Sequence, residues 1–179
     1  MNTKIVLFFL FAVLATTGST CINDGFQVAV NFPLTYCGNI IAGSNPAFSG
    51  SQTIKISDQV GEAYRDNIKN GRYYDVRVRV NGPYAGSVSG SGYVNGLKLL
   101  DFSGQWSDFL TPQSLLGSST HVTPQAAGSA ELLRVLNSLA TNPNATITLS
   151  ANGSVSQVPV PAGLSVCIDI YAQVDSEVQ

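Results

Sequence analysis

The side chains able to do chemistry are few: one histidine, three cysteines and a thin scatter of carboxylates. His121 lies in the Gly/Ser/Thr-rich run between Gly117 and Thr123, so any Ser-His-Asp or Cys-His mechanism would have to be built around it. No Gly-x-Ser-x-Gly elbow accompanies it, because Gly86-Ser87-Val88-Ser89-Gly90 puts valine where the nucleophile would stand. Gly90-Ser91-Gly92 lacks the third glycine of a dinucleotide loop, and Asn95-Gly96 follows it instead of a helix. Asp58, Glu62 and Asp66 recur at helical spacing and could form a carboxylate row, which ordinary solvation explains equally well. No two cysteines have the close spacing of zinc ligands. These readings assign no catalytic, metal or cofactor-binding residue.

The cysteines are better suited to export chemistry. Lys4 precedes an apolar run from Ile5 to Ala15, and small polar residues lead to Cys21. That order is the layout of a secretory signal, and its apolar core is too short for a permanent bilayer span. The expectation is therefore a signal peptide over residues 1–20 and a single exported globular domain over 21–179. Cys21 is a candidate for lipidation, although Gly18 and Thr20 occupy positions where a lipoprotein signal usually has an aliphatic and a small residue. An odd cysteine count in an oxidising compartment then leaves Cys37 and Cys167 as the expected disulfide, with Cys21 to Cys37 as the competing pair.

Composition bounds the partners. Charged residues make up 11% of the chain, against about 25% in ordinary domains, and the formal net charge is -2. Such a chain has no basic field for nucleic acid or anionic lipid, so the only expected membrane contact is a lipid on Cys21.

The elements that would position these groups follow from periodicity. Phe26, Val28, Val30 and Phe32 alternate with polar or small neighbours as one strand. Thr53–Ile56 reads as another, and Ser57 then caps an expected helix through Val60, Ala63, Tyr64 and Ile68 to the stop at Asn70-Gly71. Next, Tyr74, Val76, Val78 and Val80 face one way, with Tyr73, Asp75, Arg77 and Arg79 on the other side. A Gly/Ser-rich strand to Val94 returns through Asn95-Gly96 along Leu97–Trp106, where Leu100, Phe102 and Trp106 share a face. Thr111-Pro112 opens a short helical turn, and Thr123-Pro124 a longer helix whose apolar face is Leu132, Leu133, Val135, Leu136 and Leu139. Thr146–Ala151, a turn at Asn152-Gly153, Val155–Val160 and a long strand from Leu164 complete the chain.

The sum is an α+β expectation: a mostly antiparallel sheet of about seven strands with two main helices packed on it, arranged as two helix-plus-three-strand halves. The alternative is an immunoglobulin-like β-sandwich with helical insertions. Tyr73, Arg77 and Arg79 on one strand, with Tyr93 and Trp106 on the neighbouring hairpin, form a candidate contact surface of arginine and aromatic type. Asn144 and Asn152 head Asn-x-Ser/Thr sequons and are expected at exposed turns, as glycan acceptors in a eukaryotic secretory pathway. The function expected from these features is a non-enzymatic binding or structural domain, secreted or held in the cell envelope, with an unidentified macromolecular partner. A carrier of an apolar ligand and a carboxylate-based hydrolase are the alternatives.

Overall fold

The computed structural model describes residues 26–178, so the signal region, the cleavage site and Cys21 lie outside the described residues. Strand β1 (Phe26–Asn39) alternates as expected and continues across Pro33, which its edge position tolerates because proline can turn its missing donor away from the ladder. After β2 (Ala47–Lys55) comes a single helical turn, α1 (Ser57–Val60). Then follow β3 (Ile68–Asn81), β4 (Ser87–Val94), β5 (Leu97–Gln105), β6 (Gln113–Ser114) and β7 (Val122–Pro124). Helix α2 (Ala126–Ser138), β8 (Thr146–Val155) and β9 (Ser165–Val178) complete the order.

The strands form two antiparallel sheets, β1-β9-β3-β6 and β2-β8-β4-β5-β7. With the short β7 set aside, the other eight follow the order of a jelly roll, in which the chain passes repeatedly from one sheet to the other. The inner faces meet in one apolar core, to which β9 contributes Val166, Ile168, Ile170, Ala172 and Val174, and β8 contributes Ile147, Leu149 and Ala151. Helix α2 bears on β3 of one sheet and β5 of the other, burying Leu132, Val135 and Leu136.

This architecture corrects the α+β expectation of one sheet and two main helices. Helical spacing from Val60 to Ile68 does not make a helix, because Gly61 adopts φ +90 and ends α1 after one turn. Residues 65–67 form an isolated 3₁₀ turn, and Ile68 already belongs to β3. Ser57 is not the cap but the first residue inside the turn, and the cap position falls to Ile56. The helical turn expected after Thr111-Pro112 is instead the bridge β6, and Thr123-Pro124 pairs with β5 before α2 begins at Ala126. With only one of the expected helices formed, the helix-plus-three-strand repeat disappears.

Asn152-Gly153 makes no turn either. Both residues lie within the continuous strand β8, where Gly153 stands opposite Gly90 of β4. A Cβ on Gly153 would collide with the Ser89 carbonyl oxygen and the Phe48 ring, and one on Gly90 with the Asn152 oxygen and Phe102. The glycines thus let two backbones and two rings approach closely. At Asn95-Gly96, by contrast, φ is +49 and +81, the left-handed pair that a tight hairpin between β4 and β5 requires.

Candidate contact face

The outer face of the four-stranded sheet gathers charges that the sequence spreads over more than a hundred positions. Antiparallel register sets Arg77 opposite Asp169, Arg79 opposite Cys167 and Asp75 opposite Tyr171. On the far side of β9, Cys37 lies opposite Cys167, and the two form a disulfide across 130 residues of chain. With both sulfurs in that bond, neither of these cysteines is free as a metal ligand.

Around the disulfide the polar groups are interlocked. Arg79 Nε donates to Asp169 Oδ2 at 2.7 Å, and Thr35 Oγ1 donates to Asp169 Oδ1 at 2.8 Å. Asn81 Nδ2 donates to Ser165 Oγ at 3.0 Å and approaches Cys167 Sγ at 3.3 Å. Asp169 is nearly buried, so deleting Arg79 would leave its carboxylate with a single hydroxyl partner, a loss of about 2–3 kcal/mol. This half of the face is a fastening.

The neighbouring half is open. Arg77 Nε donates to Asp75 Oδ2 at 2.6 Å, and Ser114 Oγ of β6 donates to Asp75 Oδ1 at 2.6 Å. The hydrogen bond from Arg77 to Asp75, chiefly, raises the guanidinium above its already high pKa, so the cation is permanent. Its Cζ lies 4.8 Å from the centroid of Tyr171, whose ring is 6.1 Å from that of Tyr74. Tyr74 is 48% exposed and the Arg77 side chain 42%. Arg72, paired with Asp175 at 3.3 Å, extends the cluster along the strand. An arginine already oriented by an acid and an aromatic neighbour loses little side-chain freedom when a partner covers it.

Tyr74 reaches this face through a β-bulge. The register shifts between Tyr73 and Asp75, so Tyr73 packs against the core while Tyr74 and Asp75 both stand on the outer side. That reverses the sequence expectation for the two tyrosines, and Tyr73 leaves the contact set. Tyr171 carries a readable signal, since it alternates with the apolar Ile170 and Ala172. The bulge at Tyr73-Tyr74 has none.

Other candidates are dispersed. Tyr93 lies on the opposite sheet, where β-register forms a row Ser51, Ser150, Tyr93 and Lys98, and Asn152 Nδ2 donates to its hydroxyl at 3.4 Å. Trp106 is 1% exposed, donates Nε1–H to the Gly82 carbonyl at 2.8 Å and meets Tyr84 edge-on. It is core and belongs to no contact surface. Asn144 and Asn152 are both exposed, the first in a loop and the second within β8 rather than at a turn. His121 packs edge-on against Phe109, with Nδ1 3.3 Å from the Ser103 carbonyl and 3.8 Å from Asp108 Oδ2. Asp108 itself is engaged by the Gln105 amide at 2.8 Å, which fastens it as a turn cap. The expected Asp58-Glu62-Asp66 row does not exist on a helix, and each of these acids lies beside a cation, Lys55 or Arg65.

No protein-family model matches the chain, and no curated protein does. Among solved structures, Desmodium yellow mottle tymovirus is 10% identical, over 86% of this chain and 90% of that one, with a TM-score of 0.35. The decameric BFDV capsid protein is 10% identical over 86% and 99%, with a TM-score of 0.38. Turnip yellow mosaic virus is 7% identical over 87% and 96%, with a TM-score of 0.33. At such scores the strand order, read directly from the pairing, remains the statement of fold.

Proposed function

We propose that this protein is a non-catalytic, exported binding or structural domain that presents the outer face of its four-stranded sheet to a macromolecular partner. The observation that carries the reading is the cluster of Tyr74, Arg77 and Tyr171, which is pre-ordered by Asp75 yet half open to solvent. Aromatic and arginine side chains of this kind dominate protein interfaces. The carboxylates of the same face support a binder over a hydrolase, because Asp75 and Asp169 are engaged by arginines and hydroxyls. The apolar inner faces pack into one cluster, which favours a display module over a carrier of an apolar ligand. Export rests on the sequence pattern from Lys4 to Cys21 and is supported by the disulfide.

The test is saturable binding of the mature protein to host envelope material separated into protein and polysaccharide fractions. Wild-type protein should bind one fraction, with Tyr74→Ala and Arg77→Ala each weakening it at least tenfold and leaving the urea midpoint within about 1 kcal/mol of wild type. Equal binding by wild type and both variants would remove this face from the function.

A further inference from the structure

A second polar feature lies away from the contact face. Ser57 is 2% exposed, and its Oγ is a buried side-chain polar atom with no hydrogen-bond partner. Buried hydroxyls are almost always satisfied, and one left alone costs free energy with nothing gained in folding. Ser57 lines a cleft of about 270 Å³, together with Lys55, Arg65, Asp66, Pro143 and Asn144. The cleft that Ser57 lines thus also carries two cations, a carboxylate and an amide.

Those cations are only loosely committed. The Lys55 ammonium approaches Asp58 at 3.9 Å, and Arg65 makes one hydrogen bond, to Glu62 Oε1 at 3.0 Å, with a long 4.0 Å approach to Asp66. A guanidinium has five N–H donors, so most of Arg65's capacity is free for another acceptor. The side chains of Lys55 and Arg65 are 42% and 37% exposed, whereas those of Asp58, Glu62 and Asp66 are 59%, 88% and 79% exposed. The acids are thus more exposed than the cations and more weakened by screening, although Asp66 shares the lining with Lys55 and Arg65.

We infer that this cleft binds one small tetrahedral oxyanion, sulfate or phosphate, either free or carried as an ester. Lys55 and Arg65 supply the charge, Ser57 donates its unused hydrogen bond, and the Asn144 amide closes the rim. The volume falls just below the usual range for organic ligands, about 300 Å³ upward, and suits a single oxyanion with some of its water. Asp66 is the one carboxylate in the lining and opposes an anion there, so the two cations must outweigh it.

Isothermal titration with sodium sulfate, sodium phosphate and glucose 6-sulfate, at constant ionic strength made up with chloride, tests the assignment. Saturable binding at millimolar concentration or below is expected for at least one of the three. Lys55→Gln and Arg65→Gln should each weaken it by about fivefold or more, and Ser57→Ala by about threefold to tenfold. Because the hydroxyl has no protein partner, Ser57→Ala should not lower the urea midpoint. Binding of the ester alone would identify a carried group, and equal binding of the free ions a free one. No saturable heat up to about 20 mM, or affinities untouched by both charge substitutions, would overturn the site. A marked loss of stability in Ser57→Ala would do the same, by showing that the hydroxyl is structural.

Discussion

Replacing Cys37 and Cys167 together by alanine should be the most destabilising change available outside the apolar core. The bond closes a loop of 130 residues. On the chain-entropy relation such a loop removes roughly 17 cal/mol/K from the unfolded ensemble, or about 5 kcal/mol at 25 °C. That figure is a ceiling, since compact unfolded chains have less freedom to lose, and about 3–5 kcal/mol is the working expectation. The two cysteines face each other in a ladder that runs the full length of β1, so the native strands remain paired without the bond and the loss falls on the unfolded side. Two signatures follow in urea melts monitored by tryptophan fluorescence and circular dichroism. The midpoint should fall, and the m-value should rise, because an uncrosslinked unfolded chain exposes more surface. In heat the same loss corresponds to a drop of roughly 10 °C for a domain of this size. A double variant within about 1 kcal/mol of wild type, with an unchanged m-value, would refute the reasoning.

Three further outcomes bear on packing and charge. Gly128→Ala should destabilise by about 1–3 kcal/mol in a chemical melt, although alanine is the better helix former, because the new Cβ would strike the Leu99 backbone and the Lys98 carbonyl where α2 crosses β5. Trp106→Ala should cost about 3–5 kcal/mol, measured in the same way, since it empties a buried site and strands the Gly82 carbonyl. Hydrogen bonds from Arg134, then from Asn95, hold the Glu131 carboxyl at a pKa of about 2, below its ordinary 4.5. A depressed folded-state pKa gives stability that is complete above pH 4.5 and lost as pH falls towards 2. The thermal midpoint of Glu131→Gln should therefore lie below wild type at neutral pH and converge with it across that window, whereas a constant gap would contradict the pairing.

The strands announced themselves where alternation was strict, as along Phe26–Phe32, of whose apolar face only Phe32 is buried, and from Leu164 to Val174, where the face is core. The Asn95-Gly96 hairpin was readable because both residues tolerate positive φ. Other stretches hid their geometry. Val60, Ala63, Tyr64 and Ile68 have helical spacing, but the chain breaks at Gly61, a residue that can mark either a tolerated helix interior or a stop. Asn152-Gly153 has the letters of a turn and the role of a close strand crossing, because the residues facing it, Gly90 and the two phenylalanines, come from distant segments. Division into two sheets depends on long-range pairing, such as β1 with β9, that alternation cannot reveal. At the contact face Arg77 and Asp75 were legible as outward residues, while the single-residue shift at Tyr73-Tyr74 exchanged the two rings without trace in composition.

The central claim, that the four-stranded sheet meets a partner through Tyr74, Arg77 and Tyr171, is tested most directly by site-specific photocrosslinking in the native host. A photoreactive phenylalanine analogue would replace Tyr74 in one strain and, on the opposite sheet, the exposed Thr53 in another. The account predicts a discrete higher-mass adduct from position 74 that is absent from position 53 and is lost when Arg77→Ala is added. No adduct at position 74, or adducts of equal yield from both faces, would contradict it.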